Sequence, residues 1–141
     1  MLEAIVRVWV GIVGLTALFT SMQCFIDSSF LAERIYTLEK DAVNPAFGRL
    51  FGTWTCLAGV VRILWALFTR SKPLYLATLF SFVLALVYFL AEFLIFKTAA
   101  LTVGVISPLI VAGGSTILMI VAFPGIFHSR DPSEGLQLKK H

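Results

Sequence analysis

Residues 84–100 read LALVYFLAEFLIFKTAA, an apolar run interrupted by one carboxylate, Glu92, and closed by Lys97. A helix that is oily on every face belongs inside a large core or a bilayer. The rest of the chain decides between them. Hydrophobic residues make up 59% of the 141 and charged residues 13%, against about 25% charge in an average soluble chain. Thirteen phenylalanines add to the excess. Too few polar side chains remain to cover a water-soluble surface, so the composition predicts one all-α, polytopic membrane unit.

Working outward from that run, four apolar segments appear, at 4–26, 47–69, 74–96 and 101–123. Each spans about 34 Å as a helix, enough to cross a bilayer with modest tilt. The expected architecture is a four-transmembrane-helix bundle over residues 1–126, followed by a short basic cytosolic tail at 127–141. The first segment is long, carries Glu3 beside Arg7 and lacks a small-residue cleavage site, so it reads as an uncleaved helix. Short links, Arg70-Ser71-Lys72-Pro73 and Lys97-Thr98-Ala99-Ala100, predict tight antiparallel hairpins, with Pro73 suited to a first helical turn.

Four spans put both termini on one side. Arg7, Arg70, Lys72, Arg130, Lys139 and Lys140 fall on that side; Arg34, Lys40, Arg49 and Lys97 fall on the other. The excess predicts cytosolic termini. The first connection contains Phe30, Leu31, Ile35 and Leu38 behind Ser28 and Ser29, either of which suits an N-cap. It predicts a short amphipathic helix against the bilayer surface or the bundle end, terminated by the Val43-Asn44-Pro45 step.

The net charge of +3 is spread over segment ends and forms no basic stripe, so a nucleic-acid partner is not expected. Cys24 and Cys56 lack paired spacing and read as small hydrophobes. The histidines, His128 and His141, both lie near the C-terminus, and no HExxH or phosphate-binding glycine loop follows a strand. No metal, cofactor or catalytic residue is expected, and the chain reads as a non-enzyme. The one acid pair to weigh is Glu92 with Tyr88, four apart on one helical face.

Three other features invite a role. Arg49 opens the second span at the depth of Glu92, so a Glu92–Arg49 ion pair is expected to hold the bundle together. Arg62 stands seven residues inside its span, about 10 Å deep. It either snorkels to headgroup phosphate or makes a polar contact within the bundle or with a partner. Gly48 and Gly52 form a small-xxx-small pair, and glycines recur in the first and fourth spans, marking faces where helices approach closely. Pro108 predicts a packed kink in the last span, eased by Ser107 or a neighbouring helix.

In this setting MQCFIDSSFLAERIYT (22–37), RLFGTWTCLAGVVR (49–62) and LATLFSFVLALVYFLAEFLIFKTAALTVGVISPLIVA (76–112) resemble the ergosterol biosynthetic protein 28 family. The likeness covers nearly the whole chain, with Phe51, Gly52, Trp54, Arg62, Glu92, Thr98, Gly104 and Pro108 at the family's characteristic positions. It implies a small endoplasmic reticulum membrane protein that acts as a noncatalytic scaffold for sterol C-4 demethylation. The implied partners are the sterol C-4 methyl oxidase, the C-3 sterol dehydrogenase/decarboxylase and the 3-keto sterol reductase, with self-association besides. The alternative is a homodimeric lipid- or sterol-binding or transport protein, in which Glu92 and Pro108 line a pocket. Candidate structural or interface residues are therefore Arg49, Gly52, Trp54, Arg62, Tyr88, Glu92 and Pro108, with the Gly52–Trp54 face as the candidate protein interface.

Overall fold

A computed structural model describes residues 1–128; beyond His128, the tail expected at 127–141 lies outside the described residues. Four long helices dominate: α1 (Leu2–Ile26), α3 (Pro45–Leu67), α4 (Lys72–Leu94) and α5 (Val103–Phe127). Each is long and apolar enough to cross a membrane. A short helix, α2 (Ser29–Arg34), and a 3-10 turn (Lys40–Ala42) fill the first connection, where the sequence predicts a short helix.

The boundaries follow from local capping. Asn44 is extended (φ −123°, ψ 171°), and its side chain accepts from the Phe47 N–H at 2.9 Å, with Pro45 as the first helical residue. The second span therefore starts at 45, not 47. Ser71 caps α4 in the same way through the Leu74 N–H, which moves the third start to 72. The last helix begins at 103 and runs through Pro124 to Phe127, past the expected stop at 123. A proline inside an apolar helix removes one backbone bond without breaking the helix when neighbours accommodate the gap.

The first helix is inverted relative to one of a soluble protein, whereas α3, α4 and α5 also bury large side chains such as Trp65, Tyr75, Phe82 and Met119. In α1 the buried positions are Val6, Val10, Gly14, Ala17, Ser21 and Cys24, while Ile12, Leu15, Phe19 and Met22 are exposed. In α1 mostly small residues face inward and large ones outward, as expected where lipid rather than water surrounds the bundle. The small stripe lets α1 and α3 pack closely. A Cβ on Gly59 would lie 3.0 Å from the Gly14 carbonyl oxygen, and one on Gly14 would lie 3.1 Å from that of Gly59.

The closest pairings are α1 with α3 and α4 with α5; α3–α4 and α1–α5 contacts close the ring more loosely. Each seam carries a hydrogen bond. Ser21 Oγ donates to the Gly52 carbonyl at 2.7 Å across α1–α3. Thr78 Oγ1 reaches the Val61 carbonyl at 3.4 Å across α3–α4. The Tyr75 hydroxyl donates to the Met119 carbonyl across α4–α5. Trp9 Nε1 donates to Ser115 Oγ at 2.9 Å across α1–α5. Such bonds are each worth about 0.6 kcal/mol, up to about 1.7, in membrane bundles, and their directionality fixes the rotation of each helix.

Candidate functional site: a capped cavity between two helix pairs

The loop end is closed by the first connection. Its own Leu31, Ile35 and Tyr36 are buried in one cluster with Phe51, Phe89 and Val105 of the long helices. Thr102 Oγ1 donates to the Arg34 carbonyl at 2.7 Å, and the Leu38 N–H donates to the Thr98 carbonyl at 3.2 Å. A Cβ on Gly104 would overlap that same Arg34 carbonyl, so only glycine lets α5 start this close to the cap. Here the short helix covers the bundle end.

Glu92 sits beside this cap, and its partner is Thr98. The Thr98 hydroxyl donates to the Glu92 carboxylate, while the Thr98 N–H donates to the Glu92 carbonyl at 3.1 Å. Between them Lys97 adopts φ +54°, a left-handed turn that folds the chain back onto the end of α4. The expected ion pair to Arg49 is not formed. Arg49 lies on the outer face of α3 with Thr53 and Leu57, one turn apart and exposed, whereas Gly48, Phe51 and Gly52 turn inward. Equal depth did not bring the two charges together because their azimuths differ.

Tyr88 takes its hydrogen bond from the cap rather than from Glu92. The Tyr88 hydroxyl hydrogen-bonds that of Tyr36. Burial first, and then this bond, push the Tyr36 hydroxyl far above the ordinary phenol range. Trp54 packs edge-on against Phe51 and Tyr88, with centroids 5.6 and 5.9 Å apart. Gly52, expected on a face open to partners, is buried against α1. A Cβ there would lie 2.9 Å from Cys24 Cβ, so this part of the small-residue face is an internal seam.

Between the two helix pairs lies a cavity of about 370 Å³, lined by residues of all four long helices and by Ile35 of the cap. Its walls include Trp9, Phe51, Trp54, Phe82, Phe89 and Pro108. Glu92 is not among its lining residues, whereas Arg62 is. A second, open cavity, about 540 Å³, adjoins it at the edge of the cap, where exposed Glu33, Arg34 and Val103 line it, and shares Thr20, Ile35, Ser107 and Pro108.

Arg62 is 7% exposed. Its Nε donates to Ser81 Oγ at 3.1 Å, its Nη2 approaches the Ser81 carbonyl at 3.4 Å, and its guanidinium carbon stands 4.1 Å from the Phe82 ring centre. Arg62 is five residues before the end of α3, about 8 Å along the axis, whereas Ser81 is nine residues past the start of α4, about 14 Å in. The side chain thus turns toward the bundle centre rather than toward the nearer end. Ser81 and Phe82 were not singled out from the sequence. The available signal was the 78–81–82–85 spacing, which puts Thr78, Ser81, Phe82 and Ala85 along one side of α4.

Together these features define a small all-helical protein with four membrane-length spans, a capped end and a polar-tipped cavity. A family profile described as "Erg28 like protein" matches residues 6–117, and the chain belongs to that family. It is 44% identical over 117 residues to the mouse protein named ergosterol biosynthetic protein 28 homolog, covering 83% of this chain and 84% of that one. The Candida albicans protein named ergosterol biosynthetic protein 28 is 34% identical over 111 residues, covering 79% and 80%. Its Saccharomyces cerevisiae namesake is 28% identical over 111 residues, covering 79% and 75%. No solved structure matches the chain.

Proposed function

We propose that this protein serves sterol biosynthesis as a noncatalytic membrane scaffold at the endoplasmic reticulum. The observation that carries the reading is the family membership over residues 6–117, shared with relatives named for ergosterol biosynthesis. Its termini face the cytosol, and it gathers the C-4 methyl oxidase, the C-3 dehydrogenase/decarboxylase and the 3-keto reductase. Tethering sequential enzymes raises their local concentration and keeps poorly soluble intermediates within reach of the next active site.

The intramembrane polar groups are consistent with such a role. Glu92 clasps the α4–α5 turn, and Tyr88 is engaged with Tyr36. The outward faces carry large apolar side chains such as Phe19, Leu57, Phe80 and Ile117, each more than half exposed. These surfaces meet lipid, partner helices or a second copy of the chain. Arg49, exposed on the outer face of α3, is one of the charged residues that can reach a partner at the loop end. Depleting the protein from its native membranes tests the proposal. Co-purification of the oxidase with the decarboxylase should then fall while each enzyme's abundance holds. Undiminished co-purification would contradict it.

A second reading, a homodimeric lipid- or sterol-binding or transport protein, is favoured by the cavity that reaches Pro108. Its absence from the Glu92 side confines that role to the Arg62 region.

A further inference from the structure

Arg62 presents an unusual combination. It is a cation 7% exposed, it borders an apolar cavity of about 370 Å³, and its polar contacts are both to Ser81. A guanidinium carries five N–H donors in a planar fork; Ser81 takes two. Nη1 makes no hydrogen bond among the described residues, and Arg62 is one of the residues that line the cavity. A cation facing apolar walls is costly unless an acceptor meets it.

We propose that this cavity binds one lipid carboxylate, with the carboxylate on the free edge of Arg62 and the apolar body between the walls. Planar guanidinium and planar carboxylate match as a two-bond fork, strongest away from water. Ser81 and the face of Phe82 hold the guanidinium in place. The volume is at the lower end of the range of about 300–1,000 Å³ for small-molecule sites, and the adjoining open cavity at the cap's edge provides further room. A phospholipid headgroup is disfavoured because Arg62 turns toward mid-bundle, to Ser81, rather than to the nearer end. Two sources share the required chemistry, a fatty acid and a steroid carboxylate. The second deepens the scaffold proposal and rests on it: a methyl oxidase that runs to the acid and a decarboxylase that consumes it exchange such a molecule.

The test is quenching of tryptophan fluorescence in full-length protein reconstituted in phosphatidylcholine nanodiscs, since Trp9 and Trp54 line the cavity. The probes are 9,10-dibromostearate, its methyl ester, and unlabelled oleate, a 3β-hydroxysterol bearing its carboxylate at C-4, and cholesterol as competitors. Saturable quenching by the acid, with the ester weaker by about tenfold or more, is the expected result for a charge-assisted contact. Arg62→Gln should reduce acid binding by a similar factor and leave ester binding unchanged. Ala58→Leu, which narrows the cavity while keeping Arg62, should weaken both. Displacement mainly by the steroid acid identifies the sterol source; displacement mainly by oleate upholds the site and overturns its link to sterol transfer. Equal binding of acid and ester, or no saturable quenching, overturns the proposal. Neither result depends on enzyme co-purification, so the scaffold reading is judged separately.

Discussion

Thr98 engages Glu92 twice, through its hydroxyl to the carboxylate and through its backbone N–H to the carbonyl at 3.1 Å. One residue thereby satisfies both the carboxylate and a backbone acceptor at the end of α4, where helix carbonyls lack intrahelical partners. The carboxylate in LALVYFLAEFLIFKTAA is thus a fastener for the turn into α5, close to the helix end at Leu94.

Removing the hydroxyl separates this role from that of shape. Thr98→Val keeps the branched outline and should lose about 1.5–3 kcal/mol of stability, the range for a hydrogen bond to a charged group. Thr98→Ser should retain most of it. Glu92→Gln, which keeps an acceptor, should be milder than Glu92→Leu. Thermal unfolding in one detergent orders the four variants, and equal midpoints for Thr98→Val and wild type would contradict the clasp.

At Lys97 the backbone conformation, φ +54°, is disfavoured for a side chain by about 1–2 kcal/mol. Lys97→Gly is expected to be neutral to mildly stabilising, because relieved strain offsets the greater freedom of the unfolded chain. Lys97→Val, branched at Cβ, should be clearly destabilising. Unfolding midpoints measured side by side check the order.

The α1–α3 contact should be sensitive to added volume at Gly59, whereas Gly114 in α5 should tolerate it. Gly59→Leu forces a side chain against the Gly14 carbonyl and Leu18, at an expected loss of about 1–3 kcal/mol. A Cβ on Gly114 would have nothing within 4 Å, so Gly114→Ala should gain about 0.5–1 kcal/mol from the better helix former. Protease resistance in detergent reads both changes.

Across the looser α1–α5 seam, Trp9 and Ser115 share a bond of 2.9 Å. A double-mutant cycle with Trp9→Phe and Ser115→Ala should return a coupling near 0.6 kcal/mol and below about 1.7. A coupling near zero would mean that the bond does not fix this seam.

The four spans were legible because their signal is cumulative, with many apolar residues agreeing over each helix. Their ends were less so. Asn44 and Ser71 draw α3 and α4 two residues earlier by capping, and the helix continues through Pro124. Side-chain partners were the least legible. Depth along an axis follows from counting residues, and by that measure Glu92 and Arg49 matched. Rotation about the axis depends on how helices pack, and it turned Arg49 outward. It also brought Arg62 to Ser81 and Tyr88 to Tyr36, pairings between segments that no spacing within one segment encodes. Thr98, six residues from Glu92, became its partner only through the left-handed turn at Lys97.

The most direct measurement for a scaffold is mild-detergent purification of the tagged, full-length protein from its own membranes, with mass spectrometry of what accompanies it. A scaffold should carry the sterol C-4 methyl oxidase and the C-3 dehydrogenase/decarboxylase in stoichiometric amounts, and an unrelated four-span protein of the same membrane should not. Recovery of the protein alone, or only as a homo-oligomer with bound lipid, would contradict the scaffold and leave lipid binding as its function.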